Sequence, residues 1–278
     1  MKNILFIFLA LTFSTFSNGQ KKEKLKGSKI VTIEKKEVHD FDGLEVQDGL
    51  EISLIKGDKN GVELEADDNL QNAIGLTFNG SILIISSLQE ISSFKKFNIR
   101  VTYTDSFRTL ISKDKSKIKA LEEIKLDNIN FKSYGNSKMF LNLSVKTFSA
   151  EASDKSEIQM NAKAEKASLI LSENATLKAL VAATEIKCDL YQKAAATIEG
   201  DVIDMKVRVE NNTNYNAKKL TAQNLDLSIE GYANANVFVE KSLILNAIGT
   251  TETELYGNPK IEIKQFSDSA ILYKKTLQ

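Results

Sequence analysis

A repeat of about nineteen residues runs from Phe107 towards the C-terminus, and it constrains the fold more than any other feature of the chain. Each unit reads as an alternating strand, a small polar turn and a second alternating strand. The units begin at Ile129, Phe148, Ala167, Ile186, Met205, Leu225, Leu243 and Ile261. A unit this short cannot bury its own apolar face, so each must cover its neighbour's, which predicts a solenoid. Shifts of nineteen superpose residues 131–143, 150–162 and 169–181, stacking Met139, Ile158 and Leu177, and Leu141 on Met160. The turns between strands carry Asn136-Ser137, Lys155-Ser156 and Asn174-Ala175, where small side chains let coils approach to the ~4.8 Å strand spacing. Asn also enters the left-handed region and forms side-chain ladders, and Asn211, Asn212, Asn214 and Asn216 crowd one such corner. Eight coils from Ile129 would stack to roughly 40 Å at that spacing.

Ahead of the repeats, residues 37–105 form a β-rich section of less regular spacing. Val38, Leu44, Val46, Leu50, Ile52, Leu54, Val62 and Leu64 mostly alternate with polar residues, the period of a half-buried strand. Gly43, Gly49, Gly57 and Gly61 punctuate these runs. Asp67-Asp68-Asn69-Leu70 reads as a short helical start with Asp67 as N-cap. Asn79-Gly80 marks a hairpin, because both residues tolerate positive φ. Phe97, Ile99, Val101 and Tyr103 give a further strand. A solenoid leaves open sheet edges that invite aggregation. This section is expected to cap one end, with Lys274 and Lys275 supplying charge at the other.

Residues 1–19 read as a secretory signal peptide: Lys2, an apolar run over 4–13, then small residues with Ser17 and Gly19 placed for cleavage. The apolar run is too short to span a membrane, and no Cys follows it to carry a lipid. Residues 20–36 are expected as a flexible, charged lead-in, and 106–278 as the solenoid, continuous with 37–105. Export permits disulfides, but the single Cys188 has no partner. It shares the alternation phase of Ile186 and Leu190, which reads as a buried small apolar residue. Thirty-seven basic residues balance thirty-seven acidic ones with the signs mixed, so no basic stripe exists to track a nucleic-acid backbone. One Pro in the whole chain, Pro259, leaves backbone N–H groups free for continuous ladders.

Several stretches then read together: Phe41-Asp42-Gly43-Leu44-Glu45-Val46, Gly49-Leu50-Glu51-Ile52-Ser53-Leu54, Glu65-Ala66-Asp67-Asp68-Asn69-Leu70 and Leu255-Tyr256-Gly257-Asn258-Pro259-Lys260-Ile261. In these the chain resembles the head GIN domain family of autotransporter-adhesin-like proteins, common among exported proteins of Bacteroidetes. The resemblance spans about residues 37–278. It implies a single-domain β-helix and an adhesin-like role, and it carries no catalytic residues. Family turns often read Gly-Ser-Gly, whereas here they read Tyr134-Gly135-Asn136-Ser137, Ser153-Asp154-Lys155-Ser156 and Gly231-Tyr232-Ala233-Asn234.

The chain is poor in catalytic groups. His39 is its one histidine, and no zinc-protease helix, phosphate-binding loop or nucleophile elbow is present. Asp67 and Asp68 beside Glu65 offer oxygen ligands for a hard cation, but an N-cap and a solvated turn explain them more simply. Polysaccharide lyases of the β-helix type set acidic ligands beside a basic group on an outer face, and no acidic cluster recurs at the repeat spacing beside Arg108 or Arg208, two of the three arginines with Arg100. No catalytic residue, metal site or cofactor is assigned.

The reading is therefore an all-β, single-stranded parallel β-helix with a β-rich cap, right-handed by the general crossover preference. It is a non-catalytic, exported adhesion or binding module, in the periplasm, on the cell surface or outside the cell, with a glycan or an envelope protein as partner. Tyr134, Tyr191, Tyr215 and Tyr232 are the candidate ligand-binding residues, since a ring among polar side chains stacks on sugars. The competing reading packs them as corner aromatics between coils. A polysaccharide-active β-helix enzyme and a purely structural envelope protein are the alternatives.

Overall fold

The computed structural model describes residues 22–276, so the signal-peptide expectation for 1–19 lies outside the described residues. Alternation decides which way each strand faces. Along the strand Lys138–Ala152, Met139, Leu141, Leu143 and Val145 point inward, and the inward phase then skips to Phe148, Ala150 and Ala152. The skip is a bend, and the ladder to the next coil lapses there, between Ser144 and Thr147. Each coil thus has two runs of parallel ladder, joined by this bend and by a turn after Ala152. The strands Glu157–Leu171, Thr176–Leu190, Ala195–Asn211, Asn214–Gly231 and Asn234–Gly249 repeat the plan, each parallel to the one before.

The result is a β-solenoid of about nine turns. The unit starts read from the sequence are register partners throughout: Ile129 with Phe148, Phe148 with Ala167, Ala167 with Ile186, Ile186 with Met205, Met205 with Leu225, Leu225 with Leu243, and Leu243 with Ile261. Met139, Ile158 and Leu177 stack as expected. The spacing drifts after Met205 because the ladder shifts register after Thr197 and again after Ala217. Apolar residues of every coil merge into one continuous core.

The turn corner has its own rule. Asp48, Asp114, Gly135, Asp154, Glu173, Gln192, Asn211, Gly231, Gly249 and Asp268 hold successive coils in the left-handed region. The small residue two places on is buried: Ser116, Ser137, Ser156, Ala175, Ala194, Thr213 and Ala233. Buried serines stitch coils together, with Ser137 Oγ donating to the Ser112 carbonyl at 3.0 Å and Ser156 Oγ to that of Ser133 at 2.9 Å. Side chains at the left-handed position also reach back one coil. Asp154 accepts from the Gly135 N–H at 2.7 Å, Gln192 from the Glu173 N–H at 2.7 Å, and Asp268 from the Gly249 N–H at 3.1 Å. The left-handed residue is thus the one before Asn136, Lys155 and Asn174. Asn side chains ladder instead on the outer strands, where Asn161 donates to Asn142 at 2.9 Å.

The N-terminal section caps the stack out of sequence order. The strands Gly43–Val46 and Glu51–Lys56 form a coil whose Leu44 and Ile52 pair with Leu110 and Ile118 on one side. On the other side they pair in parallel with Ile82–Ser87 and Phe97–Tyr103. Antiparallel strands then close that end. Gly61–Asp67 pairs with Phe97–Tyr103, Val31–Lys36 with Gly61–Asp67, and the expected hairpin joins Ile74–Asn79 to Ile82–Ser87.

Two local expectations change here. The lead-in, as far as it is described, is built into the sheets: Lys24–Lys26 pairs in parallel with Glu90–Ser92, and Val31–Lys36 lies in the cap. Asp67 precedes a 3-10 helix, Asp68–Ala73, but makes no side-chain cap. Its buried carboxylate accepts instead from the backbone N–H groups of Lys29 at 2.9 Å, Lys96 at 3.0 Å and Lys95 at 3.1 Å. One side chain thereby ties the first residues of the cap to the loop before Phe97.

Candidate binding surface

Outward residues of a solenoid fall into columns one coil apart, and two adjacent columns border a groove on one face. Lys119, Phe140, Gln159, Lys178 and Thr197 are successive register partners. Two residues further along each strand, Asn142, Asn161, Leu180 and Glu199 form the second column. Between them runs a shallow groove of about 410 Å³. It continues into a second hollow of about 490 Å³ that shares Asn142, Asn161 and Leu180 and reaches Leu121 at the bend. Strand pairing fixes the backbone under every member, so the side chains stand on a rigid grid with a ~4.8 Å step along the stack. Leu180 is 53% exposed and Phe140 half-buried, and Lys117 Nζ sits 5.7 Å from the Phe140 ring centre. The groove therefore offers apolar and aromatic faces flanked by amides and two lysines.

The four tyrosines do not converge. Tyr215 is buried inside the solenoid, between Ala196 and Ala235 in the ladder, and its hydroxyl meets Met205 Sδ at 3.4 Å. Burial, with the nearby Cys188 second, pushes that phenol well above its ordinary value. Its ring is core, not surface. Tyr134 is half-buried, with its hydroxyl on Glu151 Oε1 at 3.3 Å, and burial followed by that carboxylate raises its pKa. Tyr191 lines a separate polar hollow with Lys187, Asp189, Lys206 and Arg208 on the other ladder run. Tyr232 is 68% exposed at the turn corner. None of the four lines the groove around Phe140. A phenylalanine among lysines and amides gave no motif to read; the nineteen-residue shift sets it beside Gln159, but its other neighbour, Lys119, lies twenty-one residues back and falls outside the period.

The groups weighed for catalysis are otherwise engaged. Arg100 pairs with Glu63 at 2.7 Å and Arg208 with Glu210 at 2.8 Å, while Arg108 donates to the carbonyls of Asp105 and Phe107. His39 is exposed, edge-on to Phe78 at 5.9 Å. Glu65 pairs with Lys96 at 3.4 Å, and among the described residues no three His, Cys, Asp or Glu gather as a metal would need.

The family model described as "putative auto-transporter adhesin, head GIN domain" matches residues 40–180 and 157–259. The chain belongs to that family. The coils and the N-terminal coil around Leu44 and Ile52 are therefore this protein's version of the head GIN domain. No curated protein matches the sequence. Among solved structures, a "putative adhesin" from Parabacteroides distasonis superposes with a TM-score of 0.68 at 18% identity, over 91% of this chain and 100% of that one. A "putative adhesin" from Parabacteroides merdae gives 0.65 at 13%, over 91% and 99%. A "putative lipid binding protein" from P. distasonis gives 0.61 at 14%, over 91% and 100%. At these identities the shared property is the fold. Family membership makes an adhesion-type binding module the coarse reading, and no helix among the described residues is long and apolar enough to cross a membrane.

Proposed function

We propose that this head GIN domain is an exported, non-catalytic adhesion module of the cell envelope that holds an extended glycan along the groove between Lys119 and Glu199. The observation that carries this is the pair of register-locked columns, in which the amides Asn142, Gln159 and Asn161 lie between Phe140 and Leu180. Sugars present apolar C–H faces edged by hydroxyls, so a ring to stack on and amides to exchange hydrogen bonds are the matching chemistry. A polymer laid along the stack meets a different pair of side chains at each coil step, with Asn142 and Asn161 the one repeated pair, and the paired backbone beneath them is already ordered before binding. The family description and the adhesin neighbours support the reading.

The test is saturable binding of residues 20–278 to an immobilised glycan panel, with retained glycans examined for cleavage. Retention without cleavage that is lost in Phe140→Ala and in Asn142→Ala/Asn161→Ala is the expected result. Retention unchanged by those variants moves the site elsewhere, with Tyr191 and Tyr232 the next positions to change. Absence of binding across the panel ends the glycan reading.

A further inference from the structure

The signs of charge are mixed along the sequence, but coiling sorts them. Residues 117–120, 138–144, 157–163 and 176–182 make the run of ladder that carries the groove. Their charged side chains are Lys117, Lys119, Lys138, Lys163 and Lys178, against Glu157 alone. On the other run the same coils balance, with Lys132, Lys166 and Lys187 against Glu151, Glu185 and Asp189. Lys117 and Lys138 are direct register partners, a destabilising arrangement for like charges, offset by Glu51 at 2.9 Å and Glu157 at 2.9 Å. The other three lysines are exposed, and among the described residues no carboxylate pairs with them. Those three line the groove. Lys119 and Lys178 stand in the Phe140 column, three coils or about 14 Å apart at the ~4.8 Å step. Lys163 follows Asn161 on a coil between them. The carboxylates that line the groove stand on its first and last coils. Glu122 and Glu123 lie beside Leu121, where Glu123 pairs with Lys125 at 3.4 Å. Glu199 and Asp201 lie one coil beyond Leu180, where Glu199 pairs with Lys219 at 3.3 Å.

We infer that the ligand of this groove is an acidic glycan, one whose sugars carry carboxylate or sulfate groups. This rests on the glycan reading of the groove and adds the charge of its ligand. Lys119 and Lys178 bracket Phe140 and Gln159 in one column. A polymer laid along the stack therefore sets a sugar ring on Phe140 and anionic groups at both lysines at once, with Lys163 beside the chain. An ammonium group without an internal partner gives up only water when an anion arrives, with no ion pair to break. The middle coils of the groove hold no lining carboxylate to repel that anion. Lysine is a mobile point charge with no fixed fork, so it accepts carboxylate and sulfate alike, and the ring contact supplies the preference for a sugar. Single-stranded nucleic acid is the competing polyanion. It binds on successive stacking rings, and the groove has Phe140 alone.

The experiment is binding of residues 20–278 to immobilised polygalacturonate and to its fully methyl-esterified form, which keeps the backbone and removes the charge. Dextran sulfate and dextran are the second matched pair. An acidic polymer is expected to bind at least about tenfold more tightly than its neutral partner, and to release the protein as salt screens the contact. Lys119→Gln/Lys178→Gln should weaken that binding at least about fivefold, the order that two exposed charge pairs supply, and Phe140→Ala should weaken it as well. Lys155→Gln/Lys193→Gln, the same charge change at the exposed turn corner, should leave it unchanged. Each variant is first checked by circular dichroism for an unchanged strand signal. Binding of either acidic polymer in this pattern supports the inference, and a difference between the two identifies the anion. Equal binding of acidic and neutral partners overturns it and leaves the glycan groove standing, as does acidic binding indifferent to Lys119→Gln/Lys178→Gln. Equal binding of poly-L-glutamate or oligo(dT) marks a face for any polyanion and overturns it too. If no glycan of either kind binds, the glycan reading fails and takes this inference with it.

Discussion

Tyr215 lies directly above Ala196 in the ladder, and the next coil places Ala235 above Tyr215, so two methyl groups bracket one buried phenol ring. Coils are a fixed strand spacing apart, so a large inward side chain fits most easily where its neighbours are small. Phe131 has the small Ala150 on one side only, with Leu110 on the other. Replacing Ala196 or Ala235 by Leu should therefore destabilise by about 1–3 kcal/mol through overpacking. Tyr215→Ala should cost about 3–5 kcal/mol by leaving a cavity. Tyr215→Phe should cost little, because the hydroxyl's partner is a thioether, a weak acceptor. Urea unfolding of the four variants checks the order.

Glu173 is held at a φ of 58° in the turn corner. The left-handed conformation costs a residue with a Cβ about 1–2 kcal/mol, while glycine's extra freedom when unfolded returns about 0.4–1 kcal/mol of that. Glu173→Gly should thus stabilise by roughly 0.5–1 kcal/mol. Gln192→Gly at the same corner should gain less, because it loses the bond from the Glu173 N–H. Gly200→Ala should go the other way. At a φ of 114° its Cβ would stand 2.1 Å from the Val181 carbonyl oxygen, and strain of this kind costs about 1–3 kcal/mol. Thermal midpoints of the three variants separate these signs.

How much was legible follows from where the pattern is local. The unit starts from Ile129 to Ile261 were readable because every coil repeats the same alternation, and the structure places them in register. The same shift that stacks Met139, Ile158 and Leu177 lands next on Ala196 and Tyr215, so the burial of Tyr215 was written in the period. Its flanking Asn214 and Asn216, polar as a turn is polar, masked that. The cap was legible as strands but not as pairings. Nothing local says that the coil around Leu44 and Ile52 lies between Leu110 and Leu83 on one run and between Ile118 and Ile99 on the other, because those partners lie tens of residues apart. The lead-in read as flexible from its lysines, yet Val31–Lys36 is held by backbone pairing with Gly61–Asp67, which composition does not report. The left-handed corner was displaced by one residue because Asp, Glu and Gln occupy a position where Gly or Asn was the expected signal. The groove had no sequence signal beyond its columns, since Phe140 and Leu180 are ordinary outward residues until their neighbours are known.

Cys188 tests whether the core is as closed as the packing shows. It is fully buried between Leu169 and Val207, and burial, with Asp189 second, pushes its thiol far above the ordinary range. Thiolate is the reacting form, so the native protein should resist alkylation at mildly alkaline pH and react fully in concentrated guanidinium. At intermediate denaturant the labelling rate should follow unfolding, because the coil must open for reagent to enter. Rapid labelling of the native chain, read by mass spectrometry, would contradict this packing.

Asp67 predicts how the cap responds to acid. Burial raises its pKa, but the N–H groups of Lys95, Lys96 and Lys29 and the Lys29 charge outweigh burial and hold the carboxyl below its ordinary value of 3.8. A carboxyl depressed in the folded state favours folding when ionised in both states. That contribution is complete above the unfolded value near 3.8 and is lost as pH falls through the lower folded value. The Asp67→Asn variant should lack it at neutral pH, leaving one backbone N–H facing an amide N–H instead of an oxygen. Limited proteolysis at neutral pH is expected to cut the variant sooner than the wild type in residues 22–36 and 88–96, the segments this carboxylate joins. The solenoid coils should stay resistant in both. As pH falls from 3.8 through the lower folded value the wild type should progressively lose its advantage over the variant, measured by an acid-active protease. If the difference does not shrink at all over that fall, the ionised carboxylate is not what holds the cap.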